Sequence, residues 1–154
     1  MQFFLMRHGE ASFNARTDEE RVLTPNGKTQ VSQIGQWLNE QVEQFDLILV
    51  SPYMRAQQTW EVVQKFLDIT PKIEILKELT PDADPERCAL AVDAYAQHYQ
   101  AKNTLVIAHM PLLGYLVSEM VTGIEPPLFS TAGVAVIEAG VSESKLVAQQ
   151  SPNC

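Results

Sequence analysis

Basic residues are scarce in this chain: 11 lysines and arginines stand against 19 aspartates and glutamates, a formal charge of −8 over 154 residues. That balance argues against broad binding to nucleic acid or anionic membranes, which needs extended cationic surface. It leaves room for a local basic pocket, and among so few cations two motif-borne arginines carry weight. Cysteine is scarcer still. Cys88 and Cys154 have neither metal-ligand spacing nor a disulfide framework, and the expectation is two reduced thiols in a cytoplasmic protein. The seven glycines are scattered, so there is no glycine-rich nucleotide loop. No apolar run approaches the roughly 18 residues that span a bilayer. The N-terminal run also lacks the basic flank and cleavage-like site of a signal peptide. Repeats, low-complexity tracts and linkers are absent. With 45% hydrophobic and 19% charged residues the composition is globular. One domain over 1–154 is expected, long enough to bury about 70% of its unfolded surface.

What is present is a set of short apolar runs alternating with helical patterns. Gln2–Met6 is the first strand candidate, and the polar stretch Glu10–Arg21 reads as a loop. Thr24-Pro25 forms a helix start, with Thr as N-cap and Pro preset in the first turn. Val31, Ile34, Leu38 and Val42 then recur at helical spacing on one face. Leu47–Val50 and Leu105–Ile107 are continuous apolar runs, as expected of strands covered on both faces. Ser51-Pro52 reads as a second helix start, with Ala56, Trp60, Val63 and Leu67 on its inner face. A strand at Lys72–Leu76, a helix from Pro85 to about Tyr99 and a helix after Pro111 to about Val121 follow. A hairpin of Ala135–Ala139 and Lys145–Gln149 ends the chain. The alternation implies an α/β sandwich of three layers, with a mainly parallel central sheet flanked by helices.

In such sheets ligands bind beyond the carboxyl ends of the strands. Three apolar runs end in the most reactive residues of the chain: Met6 leads into Arg7-His8, Val50 into Ser51 and Arg55, and Ala108 into His109. Unrelated histidines have no reason to share one edge. The residue types fit phosphoryl transfer. Arg7 and Arg55 can fork onto phosphoryl oxygens, and Ser51 with nearby amides can face an anion. His8 can attack phosphorus through a neutral ring nitrogen, and Gly9 would let the backbone approach the phosphate. His109 can stabilise the transferring group or donate a proton.

Other candidates read more blandly. His98 sits on a solvent-facing helical position, Asp82 and Asp84 are turn formers, and Asp18, Glu19 and Glu20 form a solvated charge run. His8 and His109 have no clustered partners at metal spacing, so neither a metal nor a cofactor is expected.

Four blocks resemble the histidine phosphatase superfamily, also called phosphoglycerate mutase-like. They are Leu5–Glu10, Leu23–Gly27 with Gln30, Gly35 and Leu38, Ser51–Thr59, and Val106–His109. Within it the chain is most similar to the small SixA-type phosphohistidine phosphatases, through Glu78–Pro81, His109–Leu116 and Glu125-Pro126-Pro127 with Phe129. The resemblance implies His8 as nucleophile with Arg7, Arg55 and His109 completing the phosphate pocket. It also implies a partner bearing phosphohistidine, either a histidine-containing phosphotransfer (HPt) domain or a phosphotransferase-system protein.

There is one departure. Larger members carry an acidic proton donor in an insertion before the second histidine. Between Thr59 and His109 there is room for one strand, a loop and one helix but no large cap, and Glu78, Asp82 and Asp84 are weak candidates for that acid. An imidazole leaving group, with an ordinary pKa of about 6.5, departs once protonated and needs no strong dedicated acid. A small-molecule phosphomonoesterase or mutase, and a silent phospho-ligand binding module, remain the alternatives.

Overall fold

The computed structural model describes residues 1–153, so Cys154 lies outside the described residues. Six strands form one sheet: β1 (Gln2–Arg7), β2 (Leu47–Val50), β3 (Lys72–Ile75), β4 (Asn103–Ala108), β5 (Val134–Ala139) and β6 (Ser144–Gln150), in the order β3-β2-β4-β1-β5-β6. The first four run parallel, and β5 and β6 form an antiparallel hairpin added beside β1. The helices are α1 (Pro25–Gln41), α2 (Met54–Val63), α3 (Pro85–His98) and α4 (Leu112–Met120).

The continuous apolar runs are buried on both faces because helices cover both. Alternation at period two sends Phe3, Leu5, Leu47, Leu49 and Val106 to one side, where they meet Cys88, Val92 and Ala96 of α3 and Leu113, Leu116 and Val117 of α4. Phe4, Met6, Ile48, Val50, Leu105 and Ile107 go to the other side, against Val31, Ile34 and Leu38 of α1 and Ala56, Trp60 and Val63 of α2. Each such side chain contributes about 1.5–3 kcal/mol on burial. Substituting Leu38 by Ala would therefore cost about 2–5 kcal/mol through transfer and cavity terms.

The start of α1 matches its sequence signals: Thr24 Oγ1 accepts the N–H of Gly27 at 2.9 Å, and Pro25 opens the first turn. The start of α2 does not. It begins at Met54 with Tyr53 as N-cap, two residues beyond the expected Ser51-Pro52. Ser51 stays with the sheet, its N–H bonded to the Ile107 carbonyl at 3.0 Å and its hydroxyl 2.7 Å from His109 Nε2. After Val63 the chain tightens into a 3₁₀ turn, Gln64–Phe66. Among the described residues no helix is long and apolar enough to cross a membrane.

Candidate active site

Strands β2, β4 and β1 are neighbours and parallel, so their carboxyl ends open on one edge. The register aligns Arg7 with Ala108 and Val50 with Ile107, so the following residues leave the sheet side by side. His8 N–H still reaches the Ala108 carbonyl at 3.1 Å. His8, Ser51, Arg55 and His109 are all buried there, Arg55 only 3% and His109 only 1% exposed. In a protein this acidic, a buried guanidinium beside two buried imidazoles makes this edge the candidate site.

The tautomer of His8 follows from its partners. Nδ1 lies 2.7 Å from the Gly9 carbonyl, which only accepts, so Nδ1 carries the proton. Nε2 is left with its lone pair, and Arg55 Nε donates to it at 3.3 Å. Burial lowers the His8 pKa to about 4; the Gly9 contact opposes this, and Arg55, Arg7 and Arg21 reinforce it. The ring is therefore neutral at physiological pH, as a nitrogen nucleophile must be.

His109 lies with its ring centroid 5.2 Å from that of His8. Its Nε2 is 2.7 Å from Ser51 Oγ. Tyr53 N–H donates to the same Oγ at 3.3 Å, and the hydroxyl can either donate to Nε2 or accept from it. Burial, then His8 and the arginines, push the His109 pKa down to about 2. A bound anion acts in the opposite direction.

Arg7 gives Nη1 to the Phe129 carbonyl at 2.9 Å. Its Nε and His109 Nδ1 are buried with no hydrogen-bond partner. A buried unsatisfied donor costs about 1–3 kcal/mol, more if charged.

Two residues expected to meet phosphate are otherwise engaged. Ser51 uses its hydroxyl on His109 and Tyr53. Gly9 gives its N–H to Thr59 Oγ1 at 3.2 Å. The absent side chain of Gly9 serves packing instead, since a Cβ would lie 2.7 Å from both the Gly27 carbonyl oxygen and Val31 Cγ2 of α1. Neither Glu78, Asp82 nor Asp84 hydrogen-bonds to the histidines or arginines of this edge. Glu78 sits in a 3₁₀ turn, Lys77–Leu79, where its charge reaches the buried Cys88 thiol. Asp82 and Asp84 are exposed, though Asp82 is near enough to Tyr53 to raise its pKa, after burial and Glu19. His98 is exposed, as its helical position implied.

Four contributors have no local sequence signal. Thr59 accepts from Gly9 while donating to the Arg55 carbonyl at 2.7 Å, tying the His8 loop to α2. Tyr53 packs its ring edge-on against His109, with centroids 5.2 Å apart, and under the Arg55 guanidinium at 5.1 Å. Arg21 is a third cation, held by the Ser12 and Ala11 carbonyls and stacked 4.0 Å over Phe13. Asp18 is exposed, as a solvated charge run implies, but is also engaged: its carbonyl accepts Arg55 Nη1 at 2.6 Å, and its carboxylate accepts Arg55 Nη2 and Arg21 Nη1, each at 3.2 Å. Glu19 and Glu20 beside it are exposed. No group of three or more His, Cys, Asp or Glu side chains with metal-holding geometry occurs among the described residues.

A family model of the histidine phosphatase superfamily (branch 1) matches residues 3–81. Phosphohistidine phosphatase SixA of Escherichia coli (strain K12) is 40% identical, over 89% of this chain and 84% of that protein. A SixA homolog from Haemophilus influenzae is 35% identical over 98% and 96%. A solved structure of the protein histidine phosphatase SixA complexed with tungstate superposes with a TM-score of 0.92 at 38% identity, covering 99% of this chain and 97% of that one. A sheet of this order, two histidines on adjacent strand ends and these relatives place the chain in one family: it belongs to the histidine phosphatase superfamily.

Proposed function

We propose that the chain is a metal-independent protein phosphohistidine phosphatase acting through a phospho-His8 intermediate. The observation that carries this reading is the Nε2 lone pair of His8, with Nδ1–H held by the Gly9 carbonyl and two unpartnered buried nitrogens, Arg7 Nε and His109 Nδ1, at the same edge. Nε2 attacks phosphorus as the bond from phosphorus to the substrate imidazole breaks. The departing imidazole keeps the bond electrons and takes a proton from solvent. Water then displaces His8 from phosphorus, releasing inorganic phosphate and restoring the lone pair. Arg7, Arg55 and His109 hold the equatorial oxygens through both steps.

The protein substrate is supported by two things. The relatives named above are phosphohistidine phosphatases, and one was solved with tungstate, a tetrahedral oxyanion. Between α2 and β4 the chain adds only two 3₁₀ turns, β3 and α3, so no large cap narrows access. The substrate in this reading is a phosphohistidine displayed on a cytoplasmic phosphotransfer domain or phosphotransferase-system protein.

The test is kcat/KM for a panel of phosphohistidine proteins against simple phosphate esters. Preference for the proteins by orders of magnitude is expected. Ester preference of that size would instead make the enzyme a small-molecule phosphomonoesterase.

A further inference from the structure

We propose that Asp18 is a positioning residue for phosphoryl transfer: it grips the end of the Arg55 guanidinium so that the side of that group faces Nε2 of His8. This rests on the reading of His8 as the group that takes up the phosphoryl moiety.

The guanidinium is planar, with five N–H bonds in a fixed fork. One residue engages both terminal nitrogens: the Asp18 carbonyl takes Nη1 at 2.6 Å and Asp18 Oδ2 takes Nη2 at 3.2 Å. With the end of the fork held there, Nε is directed to His8 Nε2 at 3.3 Å. The side edge, made of Nε and the second N–H of Nη2, then lies beside the nucleophile. A phosphoryl group passing to Nε2 meets that edge.

Asp18 is itself braced. Its other carboxylate oxygen takes Arg21 Nη1 at 3.2 Å, and Arg21 is anchored to the Ser12 and Ala11 carbonyls. Asp18 is also the ion-pair partner of Arg55, whose side chain is 4% exposed against 54% for the carboxylate. A pair open to solvent on one side adds little to folding. Its geometric effect on a buried arginine does not depend on that.

The sign of the effect separates positioning from simple electrostatics. Removing a negative charge near an anion site should tighten anion binding. Losing the grip on Arg55 should weaken it and slow transfer, since misplacement by about 1 Å can cost about 100-fold.

The experiment measures inorganic phosphate affinity by calorimetry and turnover of a phosphohistidine-bearing carrier protein for Asp18→Ala, Asp18→Asn, Arg55→Met and the Asp18→Ala/Arg55→Met double variant. Thermal melts confirm that each is folded. Asp18→Ala should weaken phosphate binding about 10-fold and lower kcat about 30-fold with a smaller change in KM. Asp18→Asn, which keeps a side-chain acceptor, should recover part of both losses. In the Arg55→Met background Asp18→Ala should change phosphate affinity less than about 2-fold, because its effect runs through Arg55. Tighter phosphate binding in Asp18→Ala, or an undiminished loss in the Arg55→Met background, would overturn the proposal. If the wild type fails to turn over phosphohistidine, the substrate reading falls while the phosphate titrations still decide the role of Asp18.

Discussion

The Nε of Arg55 lies 3.3 Å from Nε2 of His8, a cation donating to the lone pair that would attack phosphorus. This contact and the 2.7 Å approach of Nδ1 to the Gly9 carbonyl describe the same neutral tautomer from opposite sides of the ring. In the proposed reaction the phosphoryl oxygens would compete with Nε2 for the Arg55 Nε–H, with the guanidinium still held by Asp18. Nucleophile and phosphate clamp are thereby coupled.

Stability should fall in mild acid. His8 has a folded pKa of about 4 against an unfolded value near 6.5. Between these values the unfolded chain binds more protons, so unfolding free energy rises with pH through this window. The His8 contribution, roughly 3 kcal/mol from a shift of about 2.5 pKa units, is complete above pH 6.5 and is lost progressively as pH falls toward 4. Buried His109, with its lowered pKa, acts with the same sign and is lost over a window extending further into acid. Chemical denaturation from pH 7 to 4 should show this slope, and His8→Asn should flatten it. An unchanged slope in that variant would place the titrating group elsewhere.

Gly9→Ala should damage both fold and site. The added Cβ would press on the Gly27 carbonyl oxygen and Val31 Cγ2, each 2.7 Å away, and Gly27 in turn packs against Glu10. Overpacking of this kind costs about 1–3 kcal/mol. Urea unfolding should report that loss, and turnover should drop because the displaced residue adjoins His8. Wild-type stability in this variant would show that the loop and α1 separate freely.

Thr59→Val removes the acceptor of the Gly9 N–H while keeping the side chain's shape. The orphaned buried N–H costs about 1–3 kcal/mol, and the loop that fixes the His8 tautomer loosens. We expect lower kcat and lower melting temperature, with Thr59→Ser close to wild type. Equal losses in the Ser and Val variants would assign the effect to packing.

Much of this arrangement is visible in the sequence because it depends on local periodicity. The runs Phe3–Met6, Leu47–Val50 and Leu105–Ala108 are buried on both faces, as uninterrupted apolar strands must be, and their ends carry His8, Ser51 and His109 to one edge. Thr24-Pro25 caps α1 because both signals act within one turn. Contacts closed across the fold are invisible in the same way. Asp18 meets Arg55 from 37 positions away, and nothing in Asp18-Glu19-Glu20 distinguishes the first acid from its exposed neighbours. The packing of Gly9 against α1 has no local signal, because it requires the packed helix. Ser51-Pro52 resembles a helix start on local grounds, yet the β4 ladder and His109 claim Ser51 first.

The central claim is a covalent phosphoryl group on His8. A carrier protein labelled on its phosphohistidine, mixed with enzyme in excess and quenched in alkali within milliseconds, tests it directly. Label should appear transiently on the peptide containing His8, as an acid-labile, alkali-stable adduct, and His8→Ala should show neither the label nor turnover. Retained turnover in His8→Ala, or label on another residue, would contradict a phospho-His8 pathway.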